Sequence, residues 1–267
     1  MPSSTIDHAE YTHQLPEYDL ICIGFGPAAL AIAVALYDLK VEAKVLFLEK
    51  QDRFAWHSGM LLPGARMQIS FLKDLATFRD PKSRFTFLNY LKSNDRLEAF
   101  TNLNTFLPLR SEFSDYLTWA ADQFTSQVRY GTSVECVEPV QSVSGKISGW
   151  KVTGCDSSLL CTADDARSLR LETYTCRNLI VATGGQPQLP EFLRDTSPKI
   201  VHSSHYLHAV PKLVSKHIPE GDLNLVVVGG GQSSAETFDD LTSRYPEAKV
   251  TLYTSASALK PSDDSPL

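Results

Sequence analysis

The chain has 267 residues, of which 43% are hydrophobic and 21% charged, with a net charge of −6; that is enough for one large or two modest domains with a real core, and the acidic balance argues against nucleic acid or an anionic membrane as partner. Five cysteines (Cys22, Cys136, Cys155, Cys161 and Cys176) are scattered without a CxxC pair, which argues against a zinc ribbon or a dithiol redox centre and fits a reducing compartment.

Residues 1–17 are polar and carry acids, so they read as a disordered leader rather than a signal or transit peptide, and a cytoplasmic location is expected. The apolar stretch from Leu20 to Leu36 is interrupted by Gly24, Gly26 and Pro27. It is too short and broken for a membrane span, and a buried strand followed by a buried helix fits it better. "DLICI" from Asp19, a turn, a helix from about Pro27 to Leu39 and the strand "KVLFLEK" make a βαβ unit. A loop-rich region follows from Gln51 to about Ser83. Helices are then expected over "SRFTFLNYLKSN" and from Ser111, where Ser111 with Ser114 offers N-cap chemistry. "SVECVEPV", "GKISGWKVTG" and "LRLETYTCRN" alternate as strands of a small antiparallel flap. "LIVATGG" (Leu179–Gly185) reads as a buried strand, and "QPQLPEF" breaks regular structure. A second βαβ unit closes the chain: "LNLVVV", a turn, "SSAETFDDLTSRY" and "KVTLYTS".

Each βαβ unit contains a dinucleotide-type turn. "GFGPAA" supplies Gly24, Gly26 and Ala29 in the pattern GxGxxA. The first glycine permits the sharp turn, the second lets backbone N–H groups approach a pyrophosphate, and the small third residue lets helix and strand pack closely. Glu49, at the end of the second strand, stands where an acid accepts hydrogen bonds from a ribose diol. The second turn, "GGGQSS", supplies Gly229, Gly230, Gly231, Gln232, Ser233 and Ser234, and no acid matches Glu49. An acid there would repel the 2′-phosphate of NADP, so its absence is compatible with NADPH and is a weak argument against NADH. Lys260 is the nearest candidate cation for that phosphate. The expected fold is therefore α/β with two Rossmann-like domains, an FAD domain over 18–220 and an incomplete NADPH domain over 221–267.

The segments "FLEKQDRFAWHSGMLLPGARMQISFLKDLATFRDPKSRFTFLNYL", "FLPLRSEFSDYLTWAADQF", "ATGGQPQLP" and "VVGGGQSSAETFDDLTSRYP…KPSDDSP" make the chain, from about Tyr18 onward, resemble the flavin-dependent L-ornithine N5-monooxygenases of siderophore biosynthesis and the related lysine N6-hydroxylases. The resemblance implies that Glu49 through His57, including Trp56, line FAD together with Gln68 and Val134. It implies that Lys73 holds the carboxylate of L-ornithine, that Gly230 through Ser233 bind NADPH, that Gln232 lies near the nicotinamide–flavin junction, and that Arg110 lies close to the cofactors. No side chain is singled out as catalytic and no metal is implied. The implied reaction uses O2: hydride passes from NADPH to FAD, a C4a-hydroperoxide forms, and the neutral amine attacks its distal oxygen to give N5-hydroxyornithine. Full-length relatives tend to be homotetramers. One departure stands out: Ser255 occupies a position where the family usually has an arginine for the 2′-phosphate, which predicts weaker NADPH binding or lost discrimination unless Lys260 compensates.

A single βαβ unit over 221–267 cannot bury both faces of its parallel strands. The chain therefore reads as the N-terminal part of a longer enzyme, with some FAD affinity but no ornithine hydroxylation expected of it alone. Two rival readings stay open. One is a plain NAD(P)H–flavin oxidoreductase, which the glycine turns permit. The other is a non-catalytic remnant. A Baeyer–Villiger oxygenase fits less well, because "KIVHSSHYL" has histidines but no preceding glycine in register for FxGxxxH.

Overall fold

The structure, a computed structural model, describes residues 17–142, 145–156, 171–194, 197–214 and 220–255. The chain forms two compact units, each gathered from separated stretches. The first takes the described residues up to Phe25 together with 42–53 and 126–183; the second takes 26–41, 54–125 and the described residues from 184 onward.

The first unit is built on a six-stranded sheet made of β1 (Glu17–Ile23), β2 (Val45–Leu48), β3 (Val128–Arg129), β4 (Thr132–Gln141), β5 (Ile147–Asp156) and β6 (Leu171–Val181), in the order β3-β2-β1-β6-β5-β4. β3, β2, β1 and β6 run parallel, and β6, β5 and β4 antiparallel. Leu46, Phe47 and Leu48 are all buried, as a parallel strand covered on both faces requires. Ile21, Leu46, Leu48, Val152, Tyr174 and Cys176 form its core, with Val134 and Leu179 packed against them. Each such large apolar side chain contributes about 1.5–3 kcal/mol when fully buried.

The antiparallel strands expected as a flap are continuous with the main sheet. "LRLETYTCRN" and "LIVATGG" belong to one strand, β6: residues 171–176 pair with β5 and residues 175–181 pair with β1. No glycine or proline interrupts the run, and Asn178 Nδ2 donates to the Asp19 carbonyl at 3.0 Å within the part paired with β1. The expectation that "LIVATGG" is buried is corrected: Leu179 and Ile180 are half-buried, and Val181 is 66% exposed.

The second unit is mainly helical: α1 (Pro27–Asp38), α2 (Phe87–Ser93), α3 (Leu97–Asn102), α4 (Arg110–Ala121), α5 (Tyr206–Val214) and α6 (Gln232–Arg244), with the parallel pair β7 (Asn224–Val228) and β8 (Lys249–Tyr253). Pro27 opens α1, where its missing N–H costs nothing. Asp38 near the other end bonds Arg79 at 2.5 Å and the Ser83 hydroxyl at 2.9 Å. Phe71, Phe87, Phe100, Phe113 and Tyr116 make an aromatic core among α2, α3 and α4. The buried Tyr116 hydroxyl donates to the Phe85 carbonyl at 2.7 Å and accepts from Leu75 N–H at 3.0 Å, so it is satisfied. Met60, Leu62, Tyr206, Val227 and Leu241 form a second cluster against the β7–β8 pair.

Two helix starts differ from expectation. α2 begins at Phe87 rather than near Ser83, because the Thr86 hydroxyl caps it by accepting from Asn89 N–H at 3.2 Å. The proposed Ser111–Ser114 cap of α4 is not used. Leu109 is the N-cap residue, with no side-chain cap, and the Arg110 N–H donates instead to the Ala65 carbonyl at 2.8 Å. α3 and α5 were not anticipated.

Candidate cofactor and substrate sites

The first turn is built on Gly24, with φ at +93°. Its N–H donates to the Leu48 carbonyl at 2.7 Å, and a Cβ placed there would lie 2.5 Å from the Ala182 carbonyl oxygen. Only glycine fits both conditions. Gly26 differs: a Cβ there would meet nothing within 4 Å, and the residue serves as N-cap of α1 without a side-chain cap. Among the described residues, the N–H groups of Gly26, Ala28 and Ala29 have no acceptor. Such unsatisfied donors at the positive end of a helix suit a phosphate. Ala29 itself is buried.

Glu49 lies just past β2 and is 7% exposed. Its Oε2 accepts from Phe25 N–H at 2.7 Å and its Oε1 from Gln51 N–H at 2.9 Å. Those two bonds fix the carboxylate and leave lone pairs for further donors, as ribose hydroxyls would supply. Val134 is half-buried at the register shift in β4.

The second turn repeats the bond that closes the first. Gly229 N–H donates to the Tyr253 carbonyl at 2.9 Å, as Gly24 N–H does to Leu48. Tyr253 ends β8 as Leu48 ends β2. The structural counterpart of Glu49 is therefore Thr254, and no acid occupies it. Gly229 has φ at +144°, and Gly231 is the N-cap of α6 with no atom within 4 Å of where a Cβ would stand. Among the described residues, the N–H groups of Gln232 and Ser233 have no acceptor. Gly230 lies half-buried between the two glycines. Ser255 is exposed just past β8, and Lys260 lies outside the described residues.

Arg110 and Gln232 are joined through Glu236, which was not anticipated. Glu236 Oε2 accepts from an Arg110 guanidinium N–H at 2.7 Å, and Oε1 accepts from Gln232 Nε2 at 2.8 Å. The spacing of Gln232 and Glu236, one turn apart on a helix, is the only signal of this link in the sequence.

The remaining predicted residues sit on the loop region of the second unit. Trp56 packs edge-on against Phe113 of α4, with ring centroids 5.9 Å apart. His57 is exposed, adopts φ of +46° and accepts from Met60 N–H through its carbonyl at 2.8 Å. Gly59 lies so close to the chain at Ser204 that a Cβ would stand 1.9 Å from that carbonyl oxygen. The strip 65–71 is tied to 106–110: Met67 N–H donates to Pro108, Phe71 N–H to Phe106, and Arg66 to the Leu107 carbonyl, at 2.8, 2.9 and 2.9 Å. Gln68 is half-buried on this strip. Lys73 follows it and is exposed, and among the described residues its ammonium has no acidic partner. The neighbouring Asp74 accepts from Ala76 N–H, from both the N–H and the hydroxyl of Thr77, and from Phe87 N–H. Lys73 therefore projects from a loop whose backbone is fixed.

Burial shifts several groups. It pushes the Cys22 thiol up to about 11. Burial, then the hydrogen bond to Asp240, raises Tyr206. Burial also raises the Glu112 carboxyl, with Arg96 at 2.6 Å opposing it. Among the described residues, no group of three or more His, Cys, Asp or Glu could hold a metal ion, and no helix is long and apolar enough to cross a membrane.

The comparisons agree with one another. The family model "L-lysine 6-monooxygenase/L-ornithine 5-monooxygenase" matches residues 16–267. The L-ornithine N(5)-oxygenase of Arthrobotrys oligospora is 51% identical over 256 residues, covering 93% of this chain and 49% of that protein. The ornithine hydroxylase of Pseudomonas aeruginosa superposes with a TM-score of 0.82 at 39% identity, covering 94% of this chain and 58% of that one. The ornithine N-hydroxylase of Kutzneria sp. 744, with reduced FAD, NADP+ and L-ornithine, superposes with a TM-score of 0.78 at 34% identity, covering 91% and 54%. The chain spans about half the length of the curated relatives it matches. On sequence and fold alike, it belongs to the L-lysine 6-monooxygenase/L-ornithine 5-monooxygenase family.

Proposed function

We propose that this chain supplies the FAD-binding and NADPH-binding turns, and an ornithine carboxylate anchor, of a flavin-dependent L-ornithine N5-monooxygenase serving hydroxamate siderophore synthesis. The observation that carries the reading is the pairing of two matched glycine turns with opposite chemistry at their equivalent positions, Glu49 and Thr254. Glu49 favours a cofactor with a free ribose diol, as FAD has. Thr254 spares a 2′-phosphate the repulsion of a carboxylate, as NADPH requires. Residues 18–220 are assigned to the FAD domain and 221–267 to the start of the NADPH domain.

The residues present fit these groups. The N–H groups of Gly26, Ala28 and Ala29 would hold the FAD pyrophosphate, Glu49 its ribose, and the N–H groups of Gln232 and Ser233 the phosphates of NADPH. When bound, the flavin supplies hydride acceptance from NADPH and activation of O2. Lys73 would pair with the α-carboxylate of ornithine and so fix which end of the substrate faces the flavin. The side-chain amine must be neutral to act as a nucleophile.

The full product of the gene, purified with added FAD, tests the reading through flavin absorbance, NADPH oxidation and N5-hydroxyornithine formation. Bound flavin with ornithine-dependent product is the expected result. NADPH oxidation that ignores ornithine and yields no product would favour a plain flavin reductase instead.

A further inference from the structure

Glu236 stands out because anion binding gives no reason for it. A helix N-terminus that receives phosphates is weakened, not helped, by a carboxylate a little more than one turn in, and the cofactor itself is anionic. Yet Glu236 is well ordered by partners: the side chains of Glu236 and Arg110 are only 15% and 19% exposed, and each Glu236 oxygen takes a separate hydrogen bond, at 2.7 Å from Arg110 and 2.8 Å from Gln232. We propose that Glu236, its charge met by Arg110, is a positioning residue of the nicotinamide dinucleotide site that sets the amide of Gln232 before NADP(H) arrives. This inference rests on the reading of residues 229–233 as that site.

The chemistry follows from hydrogen-bond roles. An ionised carboxylate only accepts, so Gln232 must turn its NH2 group toward Glu236. The amide carbonyl oxygen is thereby left as the outward group, and among the described residues no donor reaches it. An outward acceptor at the mouth of α6 matches a ligand N–H, and the carboxamide of nicotinamide provides one. Without Glu236 the amide is free to flip and present either group. Arg110 has a second consequence. It is the first residue of α4, where a cation opposes the helix dipole, and its pairing with Glu236 offsets that cost while cancelling the carboxylate's charge beside the phosphate turn.

The test is NADP+ affinity in the FAD-loaded full-length protein, followed by perturbation of the flavin absorbance, with FAD content measured separately. Glu236→Gln is expected to weaken NADP+ binding about ten-fold at unchanged FAD content, the loss of one charge-assisted hydrogen bond. Charge alone predicts the opposite, because removing a carboxylate near an anionic ligand tightens binding. Unchanged or tighter binding would therefore overturn the proposal. In a Gln232→Ala background, Glu236→Gln should change affinity no more than about two-fold; an undiminished effect would show that the carboxylate does not act through the amide. If Glu236→Gln does not fold, Gln232→Met carries the test, since it deletes the oriented amide and keeps the Arg110–Glu236 pair. Unchanged NADP+ binding in that variant overturns the proposal. Wild-type protein that binds FAD but no NADP+ overturns the reading of the turn as well, whereas tight wild-type binding with indifferent variants overturns only the role of Glu236.

Discussion

Gly24 and Gly26, two residues apart in one turn, should fail in different ways when given a methyl group. At Gly24 the added Cβ would lie 2.5 Å from the Ala182 carbonyl oxygen and 2.9 Å from its carbon, with φ already at +93°. Neither side can yield cheaply, since the Ala182 N–H is bonded to the Ile23 carbonyl at 2.8 Å and Gly24 N–H to Leu48 at 2.7 Å. A non-glycine residue held at positive φ costs roughly 1–2 kcal/mol, and an overpacked contact roughly 1–3 kcal/mol more. Gly24→Ala should thus lose about 2–5 kcal/mol, seen as a melting temperature roughly 4–20 °C lower. At Gly26 the same methyl meets nothing within 4 Å, and φ is −82°. Its only structural cost is a few tenths of a kcal/mol to about 1 kcal/mol for alanine at an N-cap.

The methyl of Gly26→Ala instead enters the space where a pyrophosphate would approach the N–H groups of α1. Thermal unfolding without cofactor and FAD titration, run on both variants, separate the two effects. Gly24→Ala should melt early. Gly26→Ala should melt close to wild type and bind FAD at least ten-fold more weakly, about 1.4 kcal/mol. A Gly24→Ala protein as stable as wild type would refute the steric argument. A stable Gly26→Ala protein with undiminished FAD affinity would refute the assignment of this turn to the flavin.

Three further outcomes are expected. Lys73→Ala should raise the KM for ornithine about 10–100-fold, the loss of an ionic hydrogen bond, while kcat at saturation falls far less; an unchanged KM would remove Lys73 from the substrate site. Ser255→Arg should tighten NADPH about 10–100-fold relative to NADH, because a guanidinium just past β8 gains a charged partner only in the phosphorylated cofactor; equal effects on both would refute this. Burial holds the Cys22 thiol at about 11 against an ordinary 9.0, so the folded state keeps its proton where the unfolded state loses it. That contribution is complete below pH 9 and is lost as pH rises toward 11, by about 2–3 kcal/mol. Urea midpoints across that range should fall more steeply for wild type than for Cys22→Ala, and equal slopes would refute it.

Features encoded by adjacent residues could be read directly from the sequence. Gly24, Gly26 and Gly229 follow apolar strands and precede helices, and Glu49 could be found by counting from the first glycine. Features set by distant partners could not. β6 looked like two strands because its first half pairs antiparallel with β5 and its second half parallel with β1, so its burial pattern changes partway along. Ser111 looked like a helix cap because a serine ahead of an apolar stripe usually is one; the Ala65 carbonyl, far away in sequence, took the Arg110 N–H instead. Glu236 was missed for the same reason, since its second partner lies 126 residues earlier.

The two turns also share one local geometry while differing at the strand end. In both, the first glycine's N–H closes onto the last carbonyl of the neighbouring strand, at Leu48 and at Tyr253, so Glu49 and Thr254 follow at equivalent positions. What differs is where the acid is placed. In the first it occupies that next position, as Glu49, held by the N–H groups of Phe25 and Gln51 and still able to accept from hydroxyls. In the second that position is Thr254, and the nearby acid is moved onto α6, as Glu236, with its charge met by Arg110. A carboxylate at the strand end selects a sugar diol; one withdrawn onto the helix and paired leaves the turn open to an extra phosphate and can direct an amide instead. Thr254→Glu should therefore convert the second turn to the chemistry of the first, and NADPH binding should weaken while NADH binding holds or improves. Equal loss of both would mean that the strand-end residue acts through packing, and the charge argument for cofactor choice would fail with it.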